Sequence, residues 1–450
     1  MRHSGIATSL ALLLAVFFLA SCITTDPTLG SALVPESQDI TIQTVTLDLP
    51  LSESRAAADL QSRISSGITV GNIGSDLYSE GLMSVTAASD SVVWGKNPVV
   101  RRVYLSFVCD STIAMRDDQL HIPQNFYVHR LNFELDSTHI NGTQARFRTA
   151  YYDPEPISIG GSLYTGEDSW SVDLKNEIGE ELLRIPMETR DSAELFMRQF
   201  YGLCLRTDMP DDPRTAPEGS GRLNLFDLSS SYLYFSWDYT DDDGNRKNTS
   251  TYFQLGQYYA LNIYRNLGDN NPATSSLEVQ GLSGTKPRIE AAQLRNAVAN
   301  WANAQNIPLE NLVIAKATVE FPGEDGGDMH QLDHYAATLY PCKRALVDDL
   351  PYYAPLSELG ESTVEDGSMN RSLLLYKASI SFYLQDLIKK EAGQVTDEDD
   401  LWLMPTLSYY NSNTSTTYYY ADNVYYSRTL LNGTDATRHP VLKLTYTVLK

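Results

Sequence analysis

The segment that decides the fold reads Tyr232-Leu-Tyr-Phe-Ser-Trp-Asp-Tyr239, Thr240-Asp-Asp-Asp-Gly-Asn245 and, shortly after, Thr249-Ser-Thr-Tyr-Phe-Gln-Leu255. Aromatic and β-branched residues are frequent in its two outer parts, which is typical of strands. The Asp-Gly-Asn tip can adopt the positive φ angles that a tight reversal of the chain requires. The segment therefore predicts a β-hairpin with a structural turn at its tip.

Strand-like segments recur on either side of this hairpin. Residues 40–51 alternate apolar and polar side chains, as half-buried strands do. Further strands are predicted at residues 99–109, 126–135, 145–152, 223–226, 276–282 and 441–448. Their spacing favours a sandwich over alternating strands and helices. We expect a mainly β protein with two β-sandwich domains of jelly-roll-like character.

One short amphipathic helix is predicted near the start of the second sandwich. Leu294, Val298 and Trp301 recur at the spacing of one helix face. Pro287 stands at the expected start of this helix, and Pro308 bounds its far side.

The length of the chain fits two cores of ordinary size better than one. The strand pattern breaks before the predicted helix, so we place the domain boundary there. The predicted organisation is a signal peptide at residues 1–21, a tether and N-terminal strand region at 22–98, one sandwich at 99–265, a linker at 266–285 and a second sandwich at 286–450.

The two halves also show a similar order of short elements. A strand at residues 182–187, a helix at 193–199 and a strand at 201–206 are predicted in the first half. Residues 375–382, 384–390 and 401–404 repeat that order in the second. A diverged internal duplication would produce this pattern, and chance similarity among short apolar segments is the alternative.

The N-terminus has the pattern of a bacterial export signal. Arg2 and His3 precede an apolar run at residues 7–19, which is too short to span a bilayer comfortably. The run closes on Leu19-Ala-Ser-Cys22, which resembles the lipobox of bacterial lipoproteins, where the cysteine thiol accepts the lipid. We expect Cys22 to be acylated and to anchor the chain in the outer membrane. Whether the chain faces the periplasm or the cell surface stays open.

The charge balance disfavours a nucleic-acid partner. The chain has 34 Lys and Arg against 57 Asp and Glu, which gives a formal net charge of -23. Such a surface repels phosphate backbones, so we expect no nucleic acid to bind.

Three cysteines remain besides Cys22. Cys109 and Cys204 both lie in strand-like segments of the predicted first sandwich, so a disulfide between them is one reading in an oxidising compartment. The other reading is that these thiols and Cys342 are small buried side chains, since no pair has the spacing of a zinc or redox site.

No motif predicts catalysis. The sequence lacks a Gly-x-Ser-x-Gly elbow, a phosphate loop and a dinucleotide fingerprint. His330 and His334 lack the glutamate of the zinc-protease motif, and in a strand they would lie ~13 Å apart, too far for one metal. The acidic stretches at residues 324–328 and 397–400 are interpreted as solvated turns, and calcium binding through their carboxylate oxygens is the alternative. We expect no enzymatic activity, no cofactor and no metal.

Tyrosines are concentrated near the C-terminus, at residues 409–410, 418–420 and 425–426 in a stretch rich in Ser, Thr and Asn. A tyrosine ring offers a flat apolar face and a hydroxyl, which suits contacts with sugars or proteins. We single out Tyr418, Tyr420 and Tyr425 as contacts to an envelope protein or glycan partner. The alternative is packing in the core or at an edge strand. Because adjacent tyrosines in a strand point to opposite faces, about half of these rings should then fill the core.

Four short stretches resemble a family of uncharacterised Bacteroidota lipoproteins, known as domain of unknown function 4270. They are Leu29-Gly-Ser-Ala-Leu-Val-Pro35, Trp94-Gly-Lys96, Phe200-Tyr-Gly-Leu-Cys-Leu205 and Val279-Gln-Gly-Leu-Ser-Gly-Thr-Lys286. The resemblance covers most of the mature chain and lies in the order of the motifs. It implies an envelope location and a β-rich fold, and it supplies no catalytic residues. Only Asp26 stands where surface-exported lipoproteins often carry an acidic run.

These patterns together lead to the expectation of a non-enzymatic envelope lipoprotein that serves as a binding or accessory module. One alternative is a structural or assembly component of an outer-membrane complex or surface fibre. A second alternative is a glycan-processing hydrolase, which would need two suitably spaced carboxylates across a cleft.

Overall fold

The computed structural model describes residues 41–56, 67–73, 77–87, 91–114, 119–139, 145–160, 162–208, 221–266, 276–282, 284–325, 329–347, 350–360 and 365–449. The predicted signal peptide, Cys22 and the tether up to residue 40 lie outside the described residues. None of the helices in the described ranges has the length and apolar character needed to cross a membrane.

Strands make up most of the regular structure, so the predicted mainly β, sandwich-like fold is confirmed. The strands of the first half and its N-terminal approach are β1 (Gln43–Asp48), β2 (Leu51–Ala56), β3 (Gly67–Ile73), β4 (Leu77–Ala87), β5 (Lys96–Ile113), β6 (Gln124–Arg130), β7 (Ser162–Tyr164), β8 (Ser169–Asp173), β9 (Leu203–Thr207), β10 (Leu223–Thr240) and β11 (Arg246–Asn266). Those of the second half are β12 (Ser276–Gln280), β13 (Thr285–Ile289), β14 (Leu312–Pro322), β15 (Leu339–Val347), β16 (Leu350–Pro355), β17 (Leu375–Ser379), β18 (Leu401–Asn411), β19 (Thr416–Ala421), β20 (Arg428–Asn432) and β21 (Val441–Val448).

The α-helices among the described residues are short and lie between strands. They are α1 (Asn176–Arg184), α2 (Met187–Arg190), α3 (Ala193–Gln199), α4 (Ala291–Ala304) and α5 (Ser381–Lys389).

The hairpin predicted from residues 232–255 is confirmed as β10 and β11. Tyr232 pairs with Gln254 and Thr240 with Arg246 in an unbroken antiparallel register. At the tip, a carboxylate oxygen of Asp241 accepts a hydrogen bond from the Asn245 N–H at 2.7 Å. Such an Asx interaction stabilises a tight turn.

This hairpin lies near the middle of a nine-stranded sheet. The strand order is β7-β6-β9-β4-β11-β10-β5-β8, and β3 pairs with both β10 and β4. Because side chains alternate along a strand, Leu233, Phe235 and Trp237 of β10 all point inward and are buried. They form the centre of the first core.

The sheet curls until its two ends meet around that core. Tyr164 of β7 and Trp170 of β8 lie at opposite ends of the strand order, yet their ring centroids are 6.2 Å apart. Phe126 of β6 lies 5.3 Å from Trp170. The two layers of the first unit therefore belong to one continuous hydrogen-bonded sheet.

The second unit packs two separate sheets face to face. One has the order β1-β21-β14-β17, and the other β16-β15-β18-β13-β2 with β19 attached to β18. Val319 and Leu444 from the first sheet share a core with Leu339 and Leu403 from the second. Helices α4 and α5 contribute further apolar side chains to this core.

The predicted N-terminal strand region divides between the two units. β1 pairs with β21 and β2 pairs with β13, so both join the second unit. β3 and β4 join the sheet of the first unit. The chain thus contributes strands to the second unit before it builds the first.

Two predicted strands are wrong. Residues 145–152 contain a 3-10 helix, Ala145–Arg148, and Phe147 and Tyr151 are buried in a small outer cluster. Residues 182–187 begin inside α1, where Leu182 is buried, so the first half does not open with the predicted strand. Short apolar segments have no clear period, and here packing against neighbouring elements selected helix over strand. The proposed duplication loses one of its matching elements.

The amphipathic helix is confirmed as α4, but its predicted start is wrong. Pro287 lies inside β13, at a shift in the pairing of β13 with β2 between Lys286 and Arg288. A proline lacks the N–H that a regular ladder requires, and the irregular pairing at this position is where a strand tolerates one. The helix begins at Ala291, whose N–H donates to the carboxylate of Asp400 at 2.9 Å. This distant residue supplies the cap.

The two units are joined by a buried apolar cluster. Leu77 and Leu223 from the first unit pack with Leu282 and Tyr426 from the second. Beside it lies the buried amine of Lys286, which donates to the carbonyl oxygens of Leu282 at 2.7 Å and Gly284 at 2.9 Å. Burial lowers the pKa of Lys286 to about 7, although the charge of Asp422 favours the protonated form.

This lysine predicts a pH dependence of stability. Its pKa is about 7 in the folded chain and 10.5 ordinarily, so the unfolded chain binds more protons between these values. Folding stability therefore rises with pH across that window, by at most about 1.4 kcal/mol per pH unit. In urea unfolding at pH 7, 8 and 9, we expect the parent to gain stability relative to a Lys286→Met variant. A stability difference that stays constant over this range would contradict the assignment.

Candidate functional site

The most exposed aromatic surface is the hairpin formed by β18 and β19. The first part of β18 runs through the core of the second unit, where Leu401, Leu403 and Met404 are buried. Residues 407–411 continue past the core and pair with β19. We call residues 407–420 the tyrosine hairpin.

Local chemistry explains why this segment forms a hairpin. Tyr and Thr favour extended backbone. In the turn, the carboxamide oxygen of Asn411 accepts a hydrogen bond from the Asn413 N–H at 2.9 Å. Ser415 adopts a positive φ of 52°, and the Thr416 hydroxyl donates to the Thr414 carbonyl oxygen at 3.1 Å. These polar residues reverse the chain without a glycine.

The tyrosines occupy both faces of the hairpin. Tyr409 pairs with Tyr418, and Leu407 with Tyr420, so these four side chains share one face. Tyr410 and Tyr419 lie on the opposite face. All five tyrosines are exposed, from 39% for Tyr419 to 60% for Tyr410. The expectation that adjacent tyrosines divide between core and surface is therefore wrong within the hairpin.

The hairpin is also uncharged. No Asp, Glu, Lys or Arg occurs from Pro405 to Ala421, although 20% of the whole chain is charged. The surface is thus built from tyrosine rings, hydroxyls and carboxamides. It can pack against apolar groups and exchange hydrogen bonds, and it has no group suited to acid-base catalysis near neutral pH.

The three predicted contact residues do not all lie on the hairpin. Tyr418 and Tyr420 lie two residues apart on β19 and share a face. Tyr425 follows the strand, in a loop where the carboxylate of Asp422 accepts from the N–H groups of Val424 and Tyr425 at 2.9 and 3.0 Å. The pKa of the exposed Tyr425 is raised by partial burial and then by the charge of Asp110. Tyr426, its neighbour, is buried.

The sequence did not single out Tyr409, Tyr410 and Tyr419, which complete this surface. Their role depends on strand pairing across the turn, which brings Tyr409 opposite Tyr418. The signals available in the sequence were the concentration of tyrosines at residues 409–410 and 418–420 and the long run without charge.

The possible disulfide between Cys109 and Cys204 is not formed, since neither sulfur is bonded to another cysteine. Cys109 lies on β5 and Cys204 on β9, and three strands separate these two in the sheet order. The Sγ atom of Cys204 is 3.7 Å from the Glu80 carboxylate, and that of Cys109 is 3.5 Å from the Ser111 carbonyl oxygen. A disulfide requires Cα atoms within about 7 Å. Cys342 is also a free, buried thiol.

The histidine pair lies in a different local structure from the one considered above. His330 and His334 belong to a 3-10 helix, Met329–His334, and the following strand begins at Leu339. Within the described ranges, no group of three or more His, Cys, Asp or Glu side chains is arranged to hold a metal ion.

Models of known protein families do not match the chain, and no curated protein matches it either. The resemblance to the Bacteroidota lipoprotein family stays a prediction. The motifs in the described part have structural roles. Trp94 stacks edge-on against Trp237 with a centroid distance of 4.7 Å, and Gly202 adopts a φ of 119°. A side chain at Gly202 would come 2.4 Å from the Met83 carbonyl oxygen.

The exposure of the hairpin predicts that its tyrosines contribute little to stability. We expect a Tyr409→Ser/Tyr418→Ser variant to change the free energy of unfolding by less than about 1 kcal/mol. The matched control is Tyr340→Ser in the same unit. Tyr340 is fully buried and donates to the Ser379 carbonyl oxygen, so its loss should cost about 3–5 kcal/mol. Equal losses in urea unfolding would show that the hairpin tyrosines belong to the core.

Proposed function

We propose that this protein is a non-enzymatic lipoprotein of the bacterial envelope that binds a protein partner through the faces of the tyrosine hairpin. The observation that carries the proposal is a hairpin with five exposed tyrosines on two faces and no charged side chain. Aromatic residues are enriched where proteins meet partners. A solvent-exposed patch of this kind therefore marks a candidate interaction site.

The composition of the hairpin supports binding. Tyrosine supplies a large, rigid contact area and loses little conformational entropy, while Ser and Asn supply adaptable hydrogen bonds. Antibody paratopes rely on the same residue types. The hairpin projects beyond the core, so a partner can contact Tyr409 and Tyr418 on one face and Tyr410 on the other.

Two buried carboxylates of the second unit, Glu320 and Asp399, are held in ion pairs, and this disfavours the hydrolase alternative at these two positions. Glu320 forms ion pairs with Lys377 and Lys443, both at 3.0 Å, and these contacts lower its pKa against the opposing effect of burial. Asp399, from the acidic stretch that was expected to be a solvated turn, is instead buried and is paired in the same way with Lys343 and Lys390. Carboxylates held by lysines stabilise the fold and are poor candidates for a general acid, which needs a raised pKa.

The anchor in this proposal is acylated Cys22. The tether would hold the two β units close to the outer membrane, where the partner is also confined. Tethering raises the effective concentration of both molecules and allows a modest contact to be sufficient.

Membrane attachment is tested by a Cys22→Ala variant. The parent should fractionate with membranes, and the variant should lose the acyl chains and appear in the soluble envelope fraction, because stable anchoring depends on them. Fractionation followed by immunoblotting measures the shift, and a Ser21→Ala variant controls for changes near the cleavage site. A Cys22→Ala chain that stays in the membrane fraction would remove the lipid anchor from the proposal.

Partner binding is tested by affinity capture of the lipidated, full-length chain from gently solubilised envelopes. We expect the Tyr409→Ser/Tyr418→Ser variant to retain at least about tenfold less of the specific partner than the parent, since aromatic residues dominate interface energies. The matched control replaces two exposed tyrosines of the first unit, Tyr201→Ser/Tyr252→Ser, and should retain the partner.

Two outcomes would contradict this proposal. If both variants capture the same proteins as the parent, the hairpin is not the contact surface. If no protein is retained but a glycan array shows binding that depends on Tyr409 and Tyr418, the partner class changes from protein to glycan.

A further inference from the structure

Strand β19 has a free hydrogen-bonding edge. Among the strands that the structure describes, it pairs with β18 alone. Residues 416–420 are exposed, Ala421 at the end of the strand packs into the small cluster that contains Tyr353, and a side chain at Gly360 would come 3.7 Å from the Tyr419 ring. An open edge of this kind is a template for pairing with another strand.

The other edge strands in the described part of the chain are protected. Proteins protect edges with charge, proline or short length. Leaving β2 aside, the protecting features are Asp48 in β1, the three-residue length of β7, Asp173 in β8, Glu278 in β12, Pro351 and Pro355 in β16, Lys377 in β17 and Arg428 in β20. Thr416-Thr-Tyr-Tyr-Tyr-Ala421 has none of them.

The ladder shows which backbone groups are available. The Asp422 N–H donates to the Pro405 carbonyl oxygen at 2.8 Å, and the register continues from there without a shift. Because hydrogen-bonded and non-hydrogen-bonded pairs alternate, Tyr418 and Tyr420 direct their N–H and C=O groups toward β18. Thr417 and Tyr419 therefore direct theirs outward.

We propose that this edge pairs with β19 of a second copy of the chain, antiparallel and centred on Tyr418. Thr417 of each copy then exchanges both backbone hydrogen bonds with Tyr419 of the other. Tyr418 faces its own counterpart in a close, non-hydrogen-bonded pair, and Thr416 faces Tyr420. The arrangement has the two-fold symmetry that most protein dimers use.

Charge favours a second copy at this place. Each chain has a formal net charge of -23, so two copies repel one another over most of their surfaces. The tyrosine hairpin is uncharged and projects from the body. It is therefore a surface on which two copies can approach without bringing like charges together.

Pairing would produce a four-stranded ribbon, β18-β19 from one copy and β19-β18 from the other. It uses the backbone edge and leaves both tyrosine-bearing faces open. The inference is therefore independent of the proposed function, and a dimer would present each face twice.

The register can be tested by cysteine cross-linking of the full-length chain in its own membranes. A Tyr418→Cys variant should form a disulfide-linked dimer on mild oxidation, because the central residue meets its own copy at a Cα distance that permits the bond. Thr416→Cys or Tyr420→Cys alone should not form the disulfide cross-link, and co-expression of the two should give a cross-linked dimer, because residue 416 of one copy faces residue 420 of the other. The parent, with its half-buried Cys109, gives the background level of disulfide cross-linking.

Charge reversal supplies an independent measurement. Tyr418→Lys should be monomeric by light scattering in detergent micelles, because two ammonium groups would face each other. Mixing it with Tyr418→Glu should restore the dimer. The control is Thr46→Lys on the exposed edge of β1, which should remain dimeric like the parent.

A parent chain that is monomeric in micelles, or equal cross-linking at all three cysteine positions, would overturn the inference. If a monomeric parent still captured its partner through Tyr409 and Tyr418, only the self-pairing would fail. If the dimer formed but no partner depended on these tyrosines, the self-pairing would stand and the proposed function would fail.

Discussion

The structure depends on the pairing of β10. This strand hydrogen-bonds to β11 and β5 along much of its length and to β3 at its beginning. A strand held on both sides cannot shift by one residue without moving its whole inward set to the other face. Leu233, Phe235 and Trp237 therefore stay in the core, and Trp94 packs against Phe235 and Trp237. The register of β10 therefore fixes the positions of the neighbouring strands in the curled sheet.

The two units are coupled by chain crossing and by packing. In chain order, β1 and β2 belong to the second unit, and β3 then starts the first unit. The apolar cluster around Leu223 and Tyr426 joins the two units. The buried amine of Lys286 lies beside that cluster with carbonyl oxygens as its acceptors.

The base of the tyrosine hairpin is held by a strand, β18, that also belongs to the core of the second unit. A rigid base of this kind can hold an exposed surface in place.

The hairpin and the core use the same residue type for opposite purposes. Tyr340 and Tyr376 are fully buried and donate to the carbonyl oxygens of Ser379 and Ala336. Tyr409 and Tyr410 have no comparable burial and lie beyond the core. The residue type alone does not distinguish the buried tyrosines from the exposed ones, since a tyrosine suits both environments. The position of the strand relative to the end of the core decides which role each one takes.

The sequence by itself determined the strand-rich class, the hairpin at residues 232–255, helix α4 and the concentration of uncharged tyrosines after Pro405. These follow from local period, turn chemistry and composition, which act over a few residues. Tertiary structure decided the curl of the first sheet, the capping of α4 by Asp400, the helix in place of a strand at Leu182 and the separation of Cys109 from Cys204, which form no disulfide. It also decided that Tyr409 lies opposite Tyr418. Each of these depends on contacts between segments far apart in the chain, and local pattern carries no information about which distant segments will meet.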